Sequence, residues 1–339
     1  MAAEPVLQRV GAVRGVRPEL FVDDSFVSEP ASRMAATRRC VDDSFAAGAL
    51  PINVVKSTDP ATRKTYIGWV WDTATNRQSL PPGKLAELRV AVAIVRDARR
   101  LSRAALERLL GALQFAAEGA RHLSAFLSEL QYLKDSTGSA PFIKLSPAAR
   151  HDIELWHAFL ERFQGSAIIV LPTPTATLFT DACTSWGWGW YAPELGVFGC
   201  GAWSERVRAL DLHINALELL AAIIAIVGVR GAAAPGSHVH LFVDNTSAIA
   251  SIKKRRGKHG VLARLTRSLC FLLETERTSP SDTLPPTATH VQGVANTVAD
   301  SLSRGGTHAC LQGFTQITCT DSWIDYMAAS EMPWHSLLL

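Results

Sequence analysis

The sequence predicts a multidomain α/β chain, α+β in its arrangement, whose C-terminal half is a mixed five-stranded sheet with flanking helices. Three observations carry that prediction. Between Thr177 and Trp203, short β-like runs are separated by Gly, Pro and Glu, as in three consecutive antiparallel strands. From Leu212 to Ser303, helical and strand-like patterns alternate. Ahead of both, Lys84 to Leu133 is rich in Ala, Leu, Arg and Glu at helical spacing.

Composition bounds the possibilities. With 339 residues, 47% of them hydrophobic, the chain can build two or three modest cores. Its 34 Lys and Arg against 31 Asp and Glu leave a net charge of +3, too balanced to argue for nucleic-acid binding from bulk charge. The six cysteines form no C-x-x-C pair, so reduced thiols in an intracellular protein, cytoplasmic or nuclear, are expected. Residues 1–17 lack the apolar core of a secretory signal. The most apolar run, Ala216 to Val229, is too short to span a bilayer and contains Glu218, so it reads as a buried helix and no membrane partner is expected.

The elements follow in order. Glu19 to Phe26, ELFVDDSF, reads as a hairpin because apolar β-formers flank an acidic turn. Ala31 to Gly48 is Ala- and Arg-rich and helical, ending at its glycine. Leu50 to Val55 is expected to be extended, and a strand pair follows over Thr65 to Asp72. Pro81, Pro82 and Gly83 mark a boundary before the helical stretch, which breaks near Leu101 and Gly119. Ser146-Pro147 reads as an N-cap with Pro at the first helical position, opening a helix to about Phe163. Beyond the meander, helices are predicted at Leu212–Val229, Thr246–Lys254, Leu262–Glu276 and Asn296–Ser303, and strands at His238–Val243 and Thr287–Val291. Trp186, Trp188 and Trp190 alternate along one strand and share a face, which reads as core.

Four carboxylates stand out. Asp181 and Asp244 each follow an apolar strand, ATLFT and HVHLFV, so both project from strand ends that can converge. Taken alone, either is an ordinary turn former. Glu218 lies on a helix that is apolar nearly all round, so it either reaches water or needs a partner or a metal. Asp300 sits on the last helix, where an isolated Asp is usually solvated. Gathered at one rim of a sheet, such carboxylates repel one another unless a divalent cation holds them, and an all-oxygen set suits magnesium or manganese. The run KKRRGKH, with Lys253, Lys254, Arg255, Arg256 and Lys258, can contact nucleic-acid phosphates or be a solvated helix end.

The segments LFTDACTSWGWGWY, HINALELLAA, HLFVDNTSAIASI and HVQGVANTVADSLSR resemble, in order and spacing, the four signature segments of retroelement ribonuclease H domains. The resemblance implies a ribonuclease H-like fold, with Asp181, Glu218 and Asp244 as core ligands of two Mg2+ or Mn2+ ions and Asp300 as a looser fourth. It implies an RNA/DNA hybrid as the substrate. Where some members of the family carry a loop His, this chain has Gln292, Gly293 and Val294, and His290 is assigned no proton transfer. FVDD at Phe21 to Asp24, then GALPINVVKS and TYIGWVWDT, look like successive palm motifs of a reverse transcriptase, followed by thumb-like helices and a connection-like LSPAARHDIELWHAFL. The likeness is greatest to the pol polyprotein of LTR-type or DIRS-type retrotransposons.

The domain plan so implied is a partial palm at 1–80, a helical thumb and connection at 81–170, the ribonuclease H-like domain at 171–306 and a tail at 307–339 without a readable motif. Asp23 and Asp24 would be a vestigial polymerase metal site and Lys56 a latent proton donor, because the earlier palm strand and the fingers do not precede them. The expected activity is therefore hybrid cleavage by an endonuclease, with no polymerase activity from this chain alone and the missing N-terminal part as a further partner. The alternative is an inert remnant or a hybrid-binding module.

Overall fold

The computed structural model describes residues 3–15, 18–21, 24–53, 57–119, 121–162, 166–168, 171–234, 236–255, 260–275 and 284–329. The chain divides into two compact units, Met1–Leu85 with Gly165–Ile169, and Ala86–Gln164 with Val170–Leu339.

The first unit opens with helix α1 (Ala3–Arg14) and the antiparallel hairpin β1 (Glu19–Phe21) and β2 (Asp24–Phe26), in register Glu19 to Phe26. Helix α2 (Ala31–Ala47) stops at Gly48, after which Ala49 takes a positive φ of 53°. Residues 50–53 form no strand, and 54–56, including Lys56, lie outside the described residues. Strands β3 (Arg63–Tyr66), β4 (Trp69–Asp72) and β5 (Arg77–Ser79) then run antiparallel. The β4–β5 turn is shaped by Asp72, whose Oδ1 accepts from the backbone N–H of Ala74 and Thr75, both at 3.1 Å.

Helix α3 (Pro82–Asp97) leads to β6 (Leu101–Ser102), α4 (Arg103–Gly119), a 3-10 turn (Arg121–Leu127), α5 (Ser128–Ser136), β7 (Phe142–Ile143) and α6 (Pro147–Arg162). The breaks near Leu101 and Gly119 fall where expected. Ser146 caps α6, its hydroxyl accepting from Ala149 N–H at 3.1 Å. Strand β8 (Ser166–Ile168) pairs with β5 and completes a four-stranded sheet in the first unit, a long-range pairing without a local sequence signal.

The main sheet belongs to the second unit. Strands β9 (Ala176–Ala182), β10 (Gly187–Ala192) and β11 (Val197–Ala202) form the antiparallel meander. Helices α7 (Glu205–Ala209) and α8 (Ile214–Arg230) lead to β12 (Val239–Val243), parallel to β9; α9 (Thr246–Lys254) and α10 (Gly260–Thr275) lead to β13 (Thr287–His290), parallel to β12. Helix α11 (Thr297–Ser303), the two-residue strand β14 (Thr315–Gln316) and α12 (Asp321–Ala329) follow. The order across the sheet is β13-β12-β9-β10-β11-β14, so the expected five strands gain a sixth from the tail.

Helix α8 is buried from Ala216 through Ile226, as its all-round apolar sequence requires. It lies close to the sheet because Gly228 leaves room for Trp190; a Cβ there would sit 2.5 Å from the indole. Trp188 and Trp190 are both buried and part of the core. The helices before the sheet pack in the same unit: buried Asp152 on α6 pairs with Arg267 on α10, which also donates to Ala125 O at 3.0 Å. Burial pushes the Asp152 carboxyl up to about 6 against the pull of that guanidinium. This pair crosses the expected boundary between residues 170 and 171. No helix of the described residues is long and apolar enough to cross a membrane.

The described part of the tail, residues 307–329, packs against the rest of its unit. Leu311 packs with Val298 and Leu302 of α11, and Tyr191, Phe198, Cys200 and Phe314 close around them. Asp325 accepts from the Ser204 hydroxyl, and Arg264 donates to Ala328 O. Deleting residues 308–339 is expected to lower the melting temperature by at least about 5 °C, because it strips buried apolar area from α11. Calorimetry on the truncated chain checks this; an unchanged midpoint would show that the tail contributes nothing.

Candidate metal centre

Each carboxylate is placed by the end of an element. Asp181 lies near the end of β9, opposite Gly189 of β10. Asp244 directly follows β12 and precedes Asn245, whose Oδ1 caps α9 by accepting from Ser247 and Ala248 N–H, both at 3.0 Å. Glu218 is in the second turn of α8, whose N-cap is His213. The two helix starts are tied together, since Asn245 Nδ2 donates to Asn215 Oδ1 at 2.9 Å.

Carboxylate oxygens of Asp181, Glu218 and Asp244 all lie within 4.8 Å of one another. Asp181 is 5% exposed and Glu218 4%. Burial, then the neighbouring charges of Asp181 and Asp244, push the Glu218 carboxyl up to about 9. Burial also pushes Asp181 up to about 6, the Ser303 hydroxyl opposing it and Asp244 and Asp300 adding to it. Asp244 is raised too, chiefly by burial, while a backbone hydrogen bond, the neighbouring His290 and a hydrogen bond with Glu218 pull the other way. Three acids therefore share a space that favours their neutral forms. Glu218 Oε2 is buried with no hydrogen-bond partner among the described residues. An all-oxygen donor set with one unanswered buried oxygen fits a hard divalent cation, so these three residues could hold one.

Asp300 is not one of the three. Its side chain is half exposed and accepts from Arg304 Nε and Nη2, both at 2.8 Å, yet it is near enough to raise Asp181 and Asp244. His290 lies beside Asp244, its Nε2 3.1 Å from Asp244 O.

Ser303 was not singled out by the sequence. Fully buried one turn beyond Asp300, it donates to Asp181 Oδ2 and lies 2.9 Å from Asp300 O. The signal that could have found it is the i, i+3 spacing, which puts it on the same face of α11 as Asp300. Asn296 fixes the other end of that helix, donating from Nδ2 to Thr180 O at 2.9 Å. The close approach depends on Gly189: a Cβ there would stand 2.4 Å from Leu302 Cβ and 2.6 Å from Ser303 N.

The basic run divides. Lys253 and Lys254 are exposed at the end of α9, while Arg256 and Lys258 lie outside the described residues. Arg255, named with them, is not on the surface. It takes a positive φ of 54° at the C-cap of α9, is 7% exposed, and donates from Nη2 to Pro286 O at 3.1 Å. Asp23 lies outside the described residues, and Asp24 is described only as backbone at the start of β2.

No family model and no curated protein matches the sequence. Among solved structures, similar chains include the foamy viral protease-reverse transcriptase in complex with RNA/DNA hybrid, at 14% identity and a TM-score of 0.41 over 85% of this chain and 37% of that one. The foamy viral protease-reverse transcriptase dRH with double-stranded DNA gives 16%, 0.40, 85% and 47%. The foamy viral protease-reverse transcriptase with double-stranded DNA gives 13%, 0.39, 85% and 56%. The chain thus spans between 37% and 56% of the length of these structures. A likeness of that degree transfers neither residues nor activity.

Proposed function

We propose that the unit carrying the six-stranded sheet is a metal-dependent endonuclease that cleaves the RNA strand of an RNA/DNA hybrid. The observation that carries this reading is the convergence of Asp181, Glu218 and Asp244, from β9, α8 and β12, to within 4.8 Å. These residues would hold two Mg2+ or Mn2+ ions, with Asp300 at the rim as the looser ligand. Two such ions, when bound, activate water and stabilise the leaving oxygen of a phosphodiester.

The chain's own residues do the rest. Ser303 fixes the Asp181 carboxylate, and the Asn245 cap with its Asn215 link sets Asp244 against Glu218. Lys253 and Lys254 would take phosphates of the duplex, which favours recognition by shape with little base preference. For residues 1–80, a partial palm with Asp23 and Asp24 as a vestigial pair, we propose no polymerase activity. Because Ser303 orients a ligand, Ser303→Ala is expected to weaken Mn2+ binding about 10- to 100-fold. Calorimetric titration reads this directly, and unchanged affinity would remove Ser303 from the centre.

The deciding experiment incubates the full chain with a hybrid labelled on each strand, in Mg2+ or Mn2+, beside Asp181→Asn. Cleavage confined to the RNA strand and lost in the variant is the expected result. An intact hybrid under both metals would overturn the reading and leave an inert remnant or a hybrid-binding module.

A further inference from the structure

We infer that the two-stranded ribbon of β6 and β7 is a contact surface for an unpaired nucleic-acid strand, formed by Phe142 with Arg99, Arg100 and Lys144. It rests on the nucleic-acid-directed reading above but not on the carboxylate cluster.

The ribbon has two unlike faces. Leu101 is paired with Ile143, and both are buried; Ser102 is paired with Phe142. Directly opposed residues of an antiparallel pair share a face and successive residues alternate, so Phe142 lies on the outer side. The residue is 66% exposed. Arg100 and Lys144 each stand one position beyond the Leu101–Ile143 pair, and both are exposed, as is Arg99.

The exposure of Phe142 belongs to a well-tied backbone. Arg103 N–H donates to Pro141 O at 3.0 Å, and its guanidinium reaches Ala140 O at 3.4 Å, Lys134 O at 3.3 Å and Thr137 Oγ1 at 3.1 Å. The acids close in sequence are already engaged: Asp97 with Arg96 at 2.8 Å and Glu107 with Arg103 at 3.6 Å. Exposed on this ribbon and directly beside its strands are one aromatic ring and three cations. An aromatic face offers an unpaired base a stacking surface, and flanking cations take the phosphates on either side of it. A paired duplex gives the ring no base to stack on, which favours a single strand.

The test measures anisotropy of a labelled 20-residue oligothymidylate with the full chain in EDTA, where cleavage plays no part. Phe142→Ala should weaken binding about 10-fold and Phe142→Trp should restore it. Arg100→Gln with Lys144→Gln should weaken it and make the salt dependence shallower by about 1.4 in log–log slope. All these positions are exposed, and circular dichroism confirms folding. Wild-type affinity in Phe142→Ala, or loss seen only on neutralising Lys253 and Lys254, would overturn the proposal. So would sedimentation with anionic phosphatidylserine vesicles that these variants abolish while oligonucleotide binding persists, since that assigns the ribbon to a lipid surface. Failure here leaves the hybrid-cleavage result standing, and the reverse holds as well.

Discussion

Asp181→Asn is expected to reduce cleavage of the RNA strand by about three orders of magnitude while raising the melting temperature of the metal-free protein. The first effect follows from charge. Several kcal/mol of transition-state stabilisation depends on correctly held cations, and each 1.36 kcal/mol is a factor of ten in rate. The second follows from the same geometry, because Asp181 is one of three acids packed within 4.8 Å and burial already drives its carboxyl up to about 6. Asn has the same shape, carries no charge, and can still accept the Ser303 hydrogen bond through its carbonyl oxygen. Activity and stability are thus set against each other at one position, as is common at sites selected for chemistry. Cleavage assays and thermal melts in EDTA on the same preparations read both effects. A variant that loses cleavage and also melts lower would point to a structural role for the carboxylate, and one that cleaves normally would remove Asp181 from the proposed chemistry.

How much of this was legible beforehand depended on how local the signal was. The meander, α9 and the cap at Ser146 follow from alternation, helical spacing and an N-cap within a few residues. Glu218 was legible for the opposite reason, as an acid in a helix buried on every side. The remaining features depend on distant partners. Strand β14 has two residues, too few for a pattern, and forms only because β11 offers an edge. Strand β8 returns to pair with β5, which ends at Ser79, far back in the chain, and no local pattern records that. The charge of KKRRGKH was plain, but the burial of Arg255 against Pro286 O was not. Ser303 looked like one more serine near a helix end until its hydroxyl was placed against Asp181.

Burial of these neighbouring acids, with their mutual repulsion added, predicts an unusual pH response. In EDTA, the melting temperature should fall by at least about 5 °C as pH rises from 5 to 9, and Mg2+ or Mn2+ should restore most of it at the upper end. The unfolded chain ionises Asp near about 3.9 and Glu near about 4.3. In the folded protein Asp181 is raised to about 6 and Glu218 to about 9, so the native state holds more protons throughout that window. Stability is then fully present below the unfolded values and is lost as pH rises through each folded one. Asp152, also raised to about 6, contributes in the same direction but lies on α6 beside Arg267, so its share persists whether or not metal is added. The metal-dependent part isolates the cluster: a cation binding only the folded state adds about 2.7 kcal/mol at a hundredfold excess over its dissociation constant, and it binds the ionised carboxylates that high pH supplies. In Asp181→Asn the metal response should shrink across the whole range. A melting temperature that is flat with pH in EDTA, or a metal response equal at pH 5 and pH 9, would mean that these three acids do not share the burden their geometry implies.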